Sequence, residues 1–143
     1  HLLPDLILAE GEPTLARHAA SDRDLATMAQ ARIAAMGRAD SGQACIVRGG
    51  AVVAEEGPDG TDALIAGLPA GSGGFLFKAP KPGQDLRADM PVIGPHTAMA
   101  AAEAGLDGIV IEAGGVITID PEQTIAILDG LGLFLWVRER TWR

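Results

Sequence analysis

The chain has 143 residues and a formal net charge of −8, with 11 Lys and Arg against 19 Asp and Glu, which excludes a general electrostatic affinity for nucleic acid. Hydrophobic residues make up 48% and charged residues 21%, as in ordinary soluble globules, and no apolar run approaches the roughly 20 residues needed to cross a bilayer. The single cysteine, Cys45, excludes an intrachain disulfide or a cysteine-based zinc site, and its setting in Ala44-Cys45-Ile46-Val47 reads as a buried hydrophobe.

A chain of this length forms one core by default, and its 19 glycines and 9 prolines, spread between apolar runs, predict short elements joined by tight turns. Residues 1–20 hold Pro4 and Pro13 without a sustained period and read as a linker or N-terminal arm. The start at His1 rather than Met leads to the expectation of a fragment or processed product that lacks an upstream domain. From Ser21, as N-cap with Asp24 three residues on, Leu25, Met28, Ala29, Ile33 and Met36 recur at helical spacing until Gly37 ends the run. Gln43 to Arg48 and Ala51 to Glu55 form a predicted hairpin about Gly49-Gly50. Gly57-Pro58-Asp59-Gly60 then turns into a short helix that Thr61 is expected to cap, running through Ala66.

Farther on, Gly74 to Lys78 reads as a strand, Ala79 to Met90 as a polar loop and Pro91-Val92-Ile93 as extended chain. An Ala-rich helix follows from Thr97 to Ala104, then a buried strand from Gly108 to Glu112. Gly114-Gly115 turns into Val116 to Ile119, Pro121 starts a helix through Leu128, and Leu133 to Val137 ends the pattern as a strand. Interleaved strands and helices predict an α/β fold, a mixed β-sheet with helices packed on it, short strands and Gly-rich hairpins.

The chemistry-bearing stretch is Lys78-Ala-Pro-Lys81-Pro-Gly-Gln84-Asp85-Leu-Arg87-Ala-Asp89. Asp85 and Asp89 are hard oxygen donors suited to Mg²⁺ or Mn²⁺, while Lys78, Lys81 and Arg87 can neutralise phosphoryl oxygens. A solvated loop with internally paired charges has the same composition. Thr61 and Asp62 open a helix, where an anion is also favoured, although an unremarkable cap and first-turn acid fit equally. His96 follows Ile93-Gly94-Pro95 as a substrate contact or a plain helix-start residue. Glu112 ends a strand at the end of a sheet that often faces a ligand crevice, or it pairs with a nearby Arg. No His-x-x-x-His pair, P-loop or Gly-x-Ser-x-Gly elbow is present.

Three segments together are more specific: Gly60-Thr61-Asp62-Ala63; Lys78 through Lys81-Pro82-x-Gln84-Asp85-x-Arg87-x-Asp89-x-Pro91-x-Ile93-Gly94-Pro95-x-Thr97; and Ala104-Gly105-Leu106-x-Gly108-Ile109-x-x-Glu112-Ala113-Gly114. They resemble the C-terminal domain of the UDP-2,3-diacylglucosamine pyrophosphatases of the LpxI type. The helix from Ser21, the Gly37 to Ala44 segment and Gly132-Leu133-Phe134 extend the likeness over nearly the whole chain.

The resemblance implies Mg²⁺- or Mn²⁺-dependent hydrolysis of UDP-2,3-diacylglucosamine to UMP and 2,3-diacylglucosamine 1-phosphate, called lipid X, in lipid A biosynthesis. Residues 21–143 would be the catalytic-side domain of a two-domain protein whose substrate lies between the domains, so the isolated piece is expected to be weakly active or inactive. Asp85 becomes the principal carboxylate, as metal ligand or base, with Asp89 and Asp62 supporting it. Asp85, Asp62 and Glu112 are the expected metal ligands, and Lys78, Lys81, Gln84, Arg87, Thr61 and His96 the expected phosphate contacts.

Two positions depart from the family pattern: Asp59 stands where Glu is usual, and His96 where Arg is expected. The tail from Trp136 to Arg143 interleaves Trp and Arg, which suits a transient contact with the cytoplasmic face of the inner membrane by a cytoplasmic protein; a packed strand Trp before a frayed terminus fits as well. Monomer and homodimer both stay open. The alternative reading is a non-catalytic nucleotide- or phospholipid-binding module, in which the same cations hold a ligand and no carboxylate touches a metal.

Overall fold

The structure is a computed structural model in which residues 6–36, 43–81 and 90–139 are described. Helix α1 (Asp22–Met36) buries Ala26, Ala29, Ile33 and Met36, spaced three or four apart along one side. The Asp22 carboxylate turns back to accept a 2.9 Å hydrogen bond from the Ala19 backbone N–H. Gly37, the expected stop, lies outside the described residues.

Strands β1 (Ala44–Arg48) and β2 (Ala51–Glu55) form the expected hairpin, with Arg48 paired to Ala51. Gly49 and Gly50 take φ values of 65° and 82°, and a two-residue turn with both φ angles positive matches the strand twist at little cost only for such residues. Helix α2 (Gly60–Ala66) follows, then β3 (Phe75–Lys78), β4 (Val92–Ile93), α3 (Pro95–Glu103), β5 (Gly108–Glu112), β6 (Ile117–Thr118), α4 (Pro121–Leu131) and β7 (Phe134–Arg138).

The main sheet has the order β2-β1-β3-β5-β7. β1 is antiparallel to both of its neighbours, whereas β3, β5 and β7 run parallel and are joined through helical crossovers. This is the predicted α/β fold with a mixed sheet. Alternation along each strand divides the core. Ala44, Ile46, Leu76, Ile109, Ile111, Leu135 and Val137 face α2, α3 and α4, while Cys45, Val47, Phe75, Phe77, Val110 and Phe134 face α1. Gly108 permits the β5–β7 contact, because a Cβ there would lie 2.5 Å from the Phe134 ring. Burial against α1 pushes the Cys45 thiol up to about 12, so it packs as a hydrophobe.

Several local expectations need correction. Gly114-Gly115 does not make an antiparallel hairpin: β6 leaves the main sheet and pairs parallel with β4, Ile93 opposite Thr118. Thr61 is not the cap of α2; that position belongs to Asp59, whose side chain makes no capping bond, and Thr61 spends its hydroxyl elsewhere. Helix α3 begins at Pro95 rather than Thr97, with Gly94 before it, so His96 sits inside the first turn. The Thr97 hydroxyl accepts a 3.1 Å hydrogen bond from the Gly94 N–H, which fixes that entry.

Residues ahead of α1 pack along the β7 edge. Gly11 exchanges backbone hydrogen bonds of 2.9 and 2.8 Å with Val137, and the Thr14 hydroxyl accepts from the Leu135 N–H at 2.8 Å. His18 stacks on Trp136 with ring centroids 3.9 Å apart, so Trp136 is a packed strand residue. Among the described residues no helix is long and apolar enough to cross a membrane.

Candidate functional site

Lys78 ends β3, and strand alternation sends its side chain to the Leu76 face, beneath α2 and α3. It is 8% exposed. Its Nζ donates to the Thr61 Oγ1 at 2.7 Å and to the Val92 carbonyl at 2.8 Å. An ammonium has three donors, and among the described residues the third has no protein partner. Burial pushes the Lys78 amine below its ordinary range, opposed by the negative charges of Glu56 and then Asp62.

Around Lys78 lies a pocket of about 360 Å³ lined by Glu56, Asp59, Gly60, Thr61, Asp62, Val92, Ile93, Gly94, His96, Thr97 and Ile119. It opens at the carboxyl end of β3, above the first turns of α2 and α3, where α/β sheets hold their ligands. Other hollows exist: one of about 470 Å³ between Ile65 and Ala104 is lined chiefly by small and apolar residues and carries no buried cation, and one of about 330 Å³ is lined by Arg23, Thr27, Trp136 and the buried Arg138, whose guanidinium is already paired with Glu112. The Lys78 pocket thus joins one buried ammonium, a hydroxyl, exposed carboxylates at Asp59 and Asp62, and an imidazole at an exposed rim position. That set can hold a phosphoryl oxygen at Lys78 and leave acidic oxygens free at the mouth for a cation or a water.

Of the expected site residues, Lys78, Thr61, Asp62 and His96 are brought together here. Lys81 is half-buried just beyond β3 and does not line the pocket. Gln84, Asp85, Arg87 and Asp89 lie outside the described residues. Glu112 goes elsewhere. The β3–β5 register pairs Lys78 with Ile111, so Glu112, one residue on, points to the opposite face of the sheet. There, 1% exposed, it takes both oxygens to the Arg138 Nη1 at 3.1 Å. Arg138 also donates to Gln30 and Thr27 of α1. Among the described residues no three His, Cys, Asp or Glu side chains gather as a metal cluster.

Glu56 was not singled out by its sequence, yet it is the acid that organises the site. One oxygen accepts from the Gln43 backbone N–H at 2.6 Å and the other from the Thr61 hydroxyl at 2.8 Å. Its only signal in the sequence is its place just after β2, at the turn that leads to Thr61.

Residues 9–136 match the family model of the LpxI C-terminal domain. The chain is also similar to a protein of Caulobacter vibrioides named UDP-2,3-diacylglucosamine pyrophosphatase LpxI, with 46% identity over 110 residues. That alignment covers 70% of this chain and 39% of the relative, so the chain spans about two fifths of the length of the curated relative it matches. With the family model covering most of the chain, including both the β3 strand that carries Lys78 and the helices that frame its pocket, the chain belongs to the LpxI C-terminal domain family.

Proposed function

We propose that the intact protein hydrolyses the diphosphate of UDP-2,3-diacylglucosamine to UMP and lipid X, as a step of lipid A biosynthesis. The observation that carries this reading is the spare donor of Lys78, buried yet open to a pocket rimmed by carboxylates, in a chain 46% identical to a relative named for that activity. A preorganised ammonium in a largely desolvated position favours the charge that builds on phosphoryl oxygens in the transition state. Lys78 is the primary clamp on the diphosphate. Lys81, Gln84, Arg87 and His96 are its supporting contacts, and Thr61, whose hydroxyl proton goes to Glu56, orients Lys78.

We further propose dependence on Mg²⁺ or Mn²⁺. Asp62 offers an exposed carboxylate at the pocket, and Asp85 and Asp89 complete the acidic set; Glu112, paired with Arg138 on the other face, is not included. A bound cation would polarise a phosphoryl oxygen and lower the pKa of a water. The chain's own part is to hold the diphosphate against Lys78 and to offer Asp85 as the carboxylate that takes the water's proton. The diacylated substrate makes the cytoplasmic face of the inner membrane the place of reaction, and the remainder of the longer protein the partner that covers the pocket.

The test is UMP release from UDP-2,3-diacylglucosamine by the intact protein and its Asp85→Ala variant, each with Mn²⁺ or a chelator. Metal-dependent release abolished in the variant is expected. If the intact protein releases no UMP under any condition, while calorimetry detects UMP binding that Mg²⁺ does not change, the chain is a non-catalytic binding module instead.

A further inference from the structure

The Lys78 ammonium stands at the end of a hydrogen-bonded chain that starts on the backbone. The Gln43 N–H fixes one oxygen of Glu56 at 2.6 Å, and the other oxygen takes the Thr61 hydroxyl proton at 2.8 Å. A hydroxyl has one proton, so the oxygen of Thr61 meets Lys78 at 2.7 Å as an acceptor. The Val92 carbonyl takes a second Lys78 donor at 2.8 Å. With one acceptor from α2 and one from β4, a single N–H of Lys78 is left without a partner among the described residues, and Lys78 lines the pocket.

Lysine is a compact charge on a flexible four-carbon stem, and its aim must come from its surroundings. Among the described residues, the titratable groups that face it in the pocket are Glu56 after β2, Asp59 and Asp62 from α2, and His96 from α3; the residues of β4 and the end of β6 that line the pocket carry no charge. Of these, Glu56 is tied into the chain at both oxygens, while Asp59, Asp62 and His96 sit at exposed positions. The acid committed to Lys78 is therefore distinct from the acids left free for a ligand.

We infer that Glu56 is a positioning residue, which acts through the Thr61 hydroxyl to hold the Lys78 ammonium charged and aimed at the bound diphosphate. This rests on the diphosphate reading above for the ligand, though not for the geometry. Its charge also offsets the burial that pushes the Lys78 amine down.

The experiment uses the intact protein with Glu56→Gln, Thr61→Val and Thr61→Ser, each checked for folding by its thermal melt. Lys78 is titrated by NMR of isotopically labelled lysine side chains, with its signal assigned from Lys78→Arg, and the pH dependence of UMP release is recorded in parallel. Glu56→Gln and Thr61→Val are expected to lower the pH at which Lys78 loses its proton and to move the alkaline limb of kcat/KM the same way. The accompanying loss in kcat/KM near that limb is on the order of tenfold. Thr61→Ser, which keeps the hydroxyl, is expected to restore the titration. A folded Glu56→Gln protein whose Lys78 titrates as in the wild type overturns the inference. If the wild type releases no UMP, the diphosphate reading fails, and the titration still decides the role of Glu56.

Discussion

Two buried cations lie at the carboxyl ends of the parallel strands, Lys78 on β3 and Arg138 on β7, and each is 8% exposed. They face opposite sides of the sheet. Arg138 spreads its guanidinium over Glu112, Gln30 and Thr27, and so ties α1 to β5 and β7. Lys78 has two acceptors and a third donor that opens on a pocket. Burial is the same in both cases, so burial alone does not separate a structural charge from a ligand-binding one. What separates them is the partner: Arg138 is neutralised by the Glu112 carboxylate at 3.1 Å and ties elements of the fold together, whereas the Lys78 ammonium bonds only neutral acceptors among the described residues and keeps a donor for an anion.

The largest effect that can break this comparison comes from the closed side. Glu112→Ala leaves the Arg138 charge buried without its counterion and is expected to cost about 3–5 kcal/mol of unfolding free energy, read by urea denaturation. If the variant instead keeps its stability and needs more Mn²⁺ for turnover, Glu112 is a cation ligand and the two sides are not distinct. On the open side, Lys78→Met is expected to lower UMP release by the intact protein on the order of 10²–10³-fold. A retained rate would move the diphosphate away from this pocket. His96→Ala sharpens the picture within the pocket, since an exposed group in the first turn of α3 has less to lose: a fall in kcat/KM of about tenfold or less is expected, well short of the Lys78 variant.

The same contrast explains what the sequence made legible. Gly49-Gly50 announced its hairpin because two positive φ angles in a two-residue turn demand such residues, and the α1 stripe announced its buried side by spacing alone. Both are local signals. Gly114-Gly115 looked equivalent, yet β6 pairs with β4, more than twenty residues earlier in the chain, and nothing within the turn encodes that partner. Glu112 was misleading for a related reason. It does end a strand at the ligand-binding end of the sheet, but which face it joins depends on register with β3 and on the arrival of Arg138 from β7. Thr61 read as a cap because caps are a local habit of threonine, whereas its hydroxyl is claimed by Glu56 and Lys78 across the fold. Glu56 itself carried no motif at all; its role arises only where the end of β2, the start of α2 and the end of β3 converge.

The smallest predicted effect concerns pH and stability. Burial lowers the folded-state pKa of Lys78 below the 10.5 of an ordinary lysine, so the unfolded chain binds more protons than the folded one at any pH between those two values. Stability rises with pH wherever the unfolded state is the better proton binder. The cost of keeping this ammonium buried is therefore present in full below the folded pKa and is relieved as pH climbs through it toward 10.5. Lys78→Met has no such group, and comparison with it removes the contribution of every other titrating residue. The melting temperature of the wild type, taken relative to Lys78→Met, is expected to rise as the buffer is moved from neutral toward pH 10. No analogous rise is expected relative to an Arg138→Met variant, because guanidinium stays charged throughout that range. If the Lys78 difference stays flat as well, the two cations behave alike, and Lys78 is held as firmly in its charged form as Arg138.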